Sequence, residues 1–153
     1  MSALKDQLRT DLTTAIKARD ALRSSVIRMV LTAITNAEVS GKEARELSDE
    51  DVITVLGSEA KKRRESAEAF DAGNRPELAQ KERDEAEILA EYLPAQMSAE
   101  EIQAIVTAAV ESTGAAGEGM KAMGKVMGIV SPQVKGKADG GVVAAEVKRQ
   151  LGA

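Results

Sequence analysis

Glu82 and Glu85 stand three residues apart, and Glu87 and Glu91 four apart. Either spacing sets two carboxylates on one face of a helix, where they could hold metal ions or share acid and base roles. A di-metal carboxylate bundle draws on Glu-x-x-His partners, and this chain of 153 residues has no histidine. Acid–base work by a carboxylate pair needs a cleft and a raised pKa, and the sequence signals neither. The densest basic run, Lys61-Lys62-Arg63-Arg64, wraps round a helix, with Glu59, Glu65 and Glu68 within a turn of it. That pattern favours a solvated, salt-bridged face over a phosphate site. Lys121, Lys125, Lys135, Lys137, Lys148 and Arg149 are sparser but have few acids nearby. Glycines among them let backbone N–H groups approach a phosphate, so these six are the candidate anion-binding residues.

Composition removes most other chemistry. Without cysteine there is no disulfide, thiol nucleophile or cysteine zinc site; without histidine there is no Ser-His-Asp or Cys-His arrangement. No P-loop, no Gly-x-Gly-x-x-Gly after a strand and no Gly-x-Ser-x-Gly is present. Phe70 and Tyr92, the two aromatics, are too few for a base-stacking platform. The net charge of −4 disfavours indiscriminate nucleic-acid binding, but it is unevenly spread. Residues 1–93 hold 15 Lys and Arg against 19 Asp and Glu, whereas residues 114–153 hold 6 against 3. Any anionic partner is expected at the tail. No catalytic residue, metal site or cofactor is expected.

The elements that must position these side chains read as helices. Alanine, the best helix former, supplies 26 residues, and 43% of the chain is hydrophobic, enough for a core. Leu4, Leu8, Leu12, Ala15 and Ile16 form the stripe of a first helix, and Leu22, Val26, Met29, Val30, Ala33 and Ala37 that of a second. Ser48 and Asp51 form a capping box ahead of a third helix, which stops at Gly73, suited to a left-handed position. Pro76 fits the first turn of a fourth helix, with Glu82, Arg83 and Glu85 outward and an end near Pro94. Ser98 and Glu101 repeat the capping box ahead of a fifth helix. Nine of the twelve glycines follow residue 113, and residues 114–119 read as a flexible connection. A sixth helix carries Met120, Met123 and Met127, a stripe better read as core than as a partner groove, and Pro132 ends or bends it. Gly124-x-x-x-Gly128 suggests close approach of a neighbouring helix. Asp139 is placed to cap a seventh helix. The expectation is an all-α protein, with a four-helix N-terminal domain (1–94) and a small three-helix C-terminal domain (95–153).

Two stretches carry a family resemblance. One runs from Lys62-Arg63-Arg64-Glu65-Ser66 through Ala69-Phe70, Gly73-Asn74-Arg75, Leu78 and Lys81-Glu82 to Ile88-Leu89-Ala90-Glu91-Tyr92-Leu93-Pro94. The other is Met120-Lys121-Ala122-Met123-Gly124-Lys125-Val126-Met127-Gly128 followed by Lys135-Gly136-Lys137-Ala138-Asp139-Gly140. Together with Ser25-Val26-Ile27-Arg28-Met29, they resemble the YqeY family. Ala122 departs from the polar or acidic residue often found there, and Gly119 from the usual Ser or Thr cap. The family shares a tail domain with GatB, the B subunit of glutamyl/aspartyl-tRNA amidotransferase. The resemblance implies a tail that contacts tRNA, and by association the label of a carbon–nitrogen ligase with glutamine as amido donor. Glutamine hydrolysis and ATP-dependent activation occur elsewhere in that enzyme, so a module without autonomous activity is expected here. The partner expected is tRNA or another structured RNA; the alternative is a helical adaptor that docks a protein subunit and binds no RNA. Neither a secretory apolar region nor a membrane-spanning run is read, so a cytoplasmic protein is the default.

Overall fold

The computed structural model describes residues 2–152. Those residues form seven α-helices and no strand. The helices are α1 (Ala3–Lys17), α2 (Ala21–Glu38), α3 (Asp49–Ala72), α4 (Pro76–Ala90), α5 (Ala99–Thr113), α6 (Met123–Val134) and α7 (Gly140–Leu151), with a 3-10 turn at Gly119–Ala122 before α6. Chain packing divides into two compact units, Met1–Leu93 and Pro94–Ala153, each with its own buried cluster.

In the first unit Leu8, Ile27, Ile34, Leu56 and Leu89 come from four helices into one apolar cluster. Ile16 is 48% exposed, because the stripe through Leu4, Leu8, Leu12 and Ala15 turns about 100° away at the next residue. Asp20 caps α2 by accepting the Arg23 N–H at 3.0 Å, and the Ser48–Asp51 capping box is formed in both directions. Between α2 and α3 the Glu38 carboxylate accepts the Lys5 ammonium at 2.7 Å and the Leu47 N–H at 3.1 Å. Those bonds fold a polar loop back so that Leu47, only 2% exposed, plugs the cluster. The stop after α3 differs from expectation. Gly73 has φ −85° and caps the helix in an ordinary conformation, while Asn74 takes the left-handed one at φ 58°. The Arg75 N–H then reaches the Phe70 carbonyl at 2.7 Å. Asparagine tolerates that region because its short amide bonds locally. Residues 91–93 are a turn following α4, so that helix ends earlier than the sequence suggests.

The second unit is a three-helix cluster built largely of valine, with Val106 from α5, Val126 and Val130 from α6, and Val143 and Val147 from α7 wholly buried. Ser98 caps α5 by accepting the Glu101 N–H at 3.1 Å. Gly114 ends α5 in the left-handed conformation at φ 67°. The glycine-rich connection then tightens into the 3-10 turn, so α6 starts at Met123 with no side-chain cap. Ala122 at that junction is 2% exposed and belongs to the core. A polar residue there would be buried. Met123 and Met127 pack on the cluster, whereas Met120 is 54% exposed. α6 continues for two residues past Pro132. Asp139 caps α7 through the Gly141 N–H at 2.8 Å.

Candidate nucleic-acid interface

Four of the six basic residues of the tail lie at the two ends of α6, and the other two stand on α7. Lys121 stands on the 3-10 turn and Lys125 in the first turn of α6. The Lys125 ammonium lies 3.5 Å from the Thr113 carbonyl, where it meets the negative end of α5. Lys135 and Lys137 follow the other end of α6, about 18 Å away for a helix of 12 residues. Their corner is tied to the start of α5. The Met97 N–H donates to the Lys137 carbonyl at 2.8 Å, and the Gln96 amide to the Gly136 carbonyl at 3.0 Å. α7 packs on α6 and also on the 3-10 turn that carries Lys121, and its last turn holds Lys148 and Arg149. Arg149 is already engaged: its guanidinium makes bonds of 2.6 and 3.0 Å to Glu146. Gln150 adds another to the same carboxylate at 2.8 Å. These bonds, Arg149 first, hold the Glu146 carboxyl at a pKa of about 2.

Between the two ends runs an open face of α6. Gly124, Lys125, Gly128, Ser131 and Pro132 are all exposed. A Cβ built on Gly124 or Gly128 would meet nothing within 4 Å. This corrects the expectation that the glycine pair admits a neighbouring helix; the bare backbone faces outward. Pro132 has no N–H to return to the Gly128 carbonyl one turn back, so that carbonyl loses its usual helical donor. The face thus offers a lysine ammonium, a flat glycine surface and a backbone acceptor, with no aromatic ring anywhere in residues 94–153.

In the first unit the structure assembles an arrangement that the sequence reading placed outward. Glu82 and Glu85 of α4 turn in toward Arg63 of α3, and their side chains are 16% and 12% exposed. The guanidinium bonds Glu59 at 3.1 Å and lies 3.6 Å from Glu82 and 4.0 Å from Glu85. It also donates to the Met29 sulfur of α2 at 2.7 Å. The Arg63 Nε and one Glu82 oxygen are buried without a hydrogen-bond partner. Burial, and then the neighbouring Glu82, push the Glu85 pKa above the usual carboxylate value. Lys61, Lys62 and Arg64 stay exposed, as read, but the third residue of that run is a half-buried clasp between two helices. The three-residue interval from Glu82 to Glu85 was legible in the sequence; that the pair faces Arg63 of the neighbouring helix was not. Among the described residues no group of three or more acids is arranged to hold a metal ion.

Fold and face together define an all-helical protein of two small units with a lysine- and glycine-bearing surface on the second. The chain belongs to the Yqey-like protein family, whose model matches residues 5–151. It is similar to "Altered inheritance of mitochondria protein 41, mitochondrial" of Clavispora lusitaniae, 34% identical over 91 residues, covering 60% of this chain and 52% of the relative. The protein of that name from Saccharomyces cerevisiae (strain YJM789) is 36% identical over 88 residues, covering 56% and 46%. That of Candida glabrata is 30% identical over 86 residues, covering 56% and 47%. The chain spans about half the length of the curated relatives it matches. Their names overturn the cytoplasmic expectation, since these relatives are named as mitochondrial proteins. No helix among the described residues is long and apolar enough to cross a membrane. Hydropathy says no more than that, and it does not select a compartment.

Proposed function

We propose that the second unit is a tRNA-associated binding module, without an active site of its own, that grips the sugar–phosphate backbone through the open face of α6. The observation that carries this reading is the exposed Gly124–Gly128 surface beside Lys125, with the Gly128 carbonyl lacking its usual helical donor. A bare helical backbone lets a polynucleotide strand approach closely, lysines neutralise its phosphates, and a backbone acceptor suits a ribose 2′-hydroxyl. Base stacking is not available to residues 94–153, so recognition is by shape and backbone. The amidotransferase association is kept at the level of this tail; glutamine-dependent ligase chemistry is not assigned to the chain.

The test is titration with tRNA at several salt concentrations. Contacts from Lys121, Lys125 and Lys148 give a log–log slope of about −3, or a loss of about 40-fold between roughly 50 and 200 mM salt. Lys125→Glu weakens binding about tenfold without unfolding the protein, Lys137→Glu weakens it less, and a DNA hairpin of the same sequence binds more weakly. No binding at low salt sinks the proposal. The exposed Met120, Ile129 and Val142 favour the second reading, a protein adaptor. That reading predicts a partner retained after RNase treatment and only weakly sensitive to salt.

A further inference from the structure

The first unit contains a cleft that this reading does not use. It is an open groove of about 490 Å³ between the last turns of α1, the start of α2 and the residues that follow α4. That volume suits a small organic molecule. Asp11, Asp20 and Glu91 line it, together with one cation, Arg23. Arg23 is committed: it clasps Glu91 with bonds of 2.6 and 3.1 Å. Asp20 spends one oxygen capping α2 and stands 3.6 Å from the Arg23 Nε. The hydrogen bonds to Asp11 come from neutral donors, the Gln7 amide at 2.8 Å and the Tyr92 hydroxyl. The lining therefore carries two more negative charges than positive ones.

The rest of the lining says what shape of cation fits. Tyr92, the only tyrosine, is part of the lining, together with the apolar Ala15 and Ala18. The carboxylates are spread around the cleft, and among the described residues no three acids converge as a metal site would require. An aromatic face attracts a cation within about 6 Å, and methyl groups suit an aliphatic stem. A bare divalent ion uses neither. We infer that this cleft binds an organic cation, an ammonium or guanidinium on an aliphatic stem, whose charged head meets Asp11 beside the Tyr92 ring. Such a head comes from a free polyamine or from a lysine or arginine of a peptide.

The experiment is amide-resolved NMR titration of the full chain with spermidine, with an acetylated trilysine peptide and with magnesium chloride. Saturable shifts confined to residues around Asp11, Asp20 and Tyr92 are expected for the organic cations. Tighter binding of spermidine assigns the site to a free amine, and tighter binding of trilysine to a basic segment. Asp11→Asn weakens the preferred cation about tenfold. Tyr92→Leu, which removes the ring, weakens that cation as well. Asp6→Asn, an exposed carboxylate elsewhere on α1, leaves binding unchanged. The inference is overturned if magnesium produces the same shifts at equal concentration, if the shifts scatter over the acidic surface, or if Asp11→Asn binds as well as the native chain. RNA binding by the second unit is read separately, so either conclusion can fail without the other.

Discussion

Arg63 is the residue on which the α3–α4 hairpin depends most, because three carboxylates share its single charge. Replacing it by methionine leaves the buried Glu59 and the half-buried Glu82 and Glu85 together without its charge, and the loss expected from denaturant unfolding is about 3 kcal/mol. Glu85 makes the opposite prediction. Its carboxyl titrates above its ordinary value of 4.5 in the folded protein, so the native state holds that proton more tightly than the unfolded chain does. Stability from this group therefore falls as pH rises through the folded pKa. Arg63, Glu82 and Lys81 act on the same titration. Glu85→Gln removes the charge and keeps the shape. Its Tm at pH 7 should exceed that of the native protein, and the difference should shrink as the pH is lowered toward 4.5. A Tm difference constant with pH would contradict this account. Spacing alone could put Glu82 and Glu85 on one face of a helix. Which face turned inward was decided by α3, whose Arg63 had to be neutralised where it is buried, and no local pattern encodes that.

Helices and their starts were legible because they are local chemistry. Ser48, Ser98, Asp139 and Pro76 each stand where their side chain or missing N–H suits the first turn. Stops were less legible, since they depend on which residue accepts a strained backbone. Asn74, not Gly73, holds the left-handed position. Asn74→Ala should destabilise by about 1 kcal/mol. Gly73→Ala should stay within about 0.5 kcal/mol of the native value, because its φ is ordinary and a Cβ there meets only the Ala69 and Phe70 carbonyls, at 3.4 and 3.7 Å. The glycines of α6 carry a sharper prediction. With open space around each, Gly124→Ala and Gly128→Ala should each stabilise the helix by about 0.5–1 kcal/mol in thermal or denaturant unfolding. If α6 grips a polynucleotide backbone, the same added methyls should weaken tRNA affinity in gel-shift titrations. Stability and binding then move in opposite directions, which a merely structural role for these glycines does not produce. The candidate site was legible as a set of lysines. Its geometry was not, because the Gly124–Gly128 spacing is the same whether a helix packs there or solvent does.

At the scale of the molecule, charge divides where the chain divides. Residues 1–93 carry −4 and residues 94–153 are neutral. Acidic residues on the same chain repel a polynucleotide over a Debye length of about 30 Å at 0.01 M salt and about 8 Å at 0.15 M. Residues 94–153 expressed alone should therefore bind tRNA more tightly than the whole chain at low salt. That advantage should fade at physiological salt, as read from paired fluorescence-anisotropy titrations with labelled tRNA. Equal affinities at low salt would place the acidic residues outside the reach of the bound RNA.

Tyr92, described above as part of the lining of a cleft, also makes half of the protein optically visible. There is no tryptophan, and the other aromatic, Phe70, lies in the same unit. Near-ultraviolet absorbance and intrinsic emission therefore report on the first unit alone, while far-ultraviolet circular dichroism sums the helices of both. Melting curves from the two signals coincide only if the units unfold as one cooperative system, so the unlabelled protein supplies its own test of how many folding units it contains.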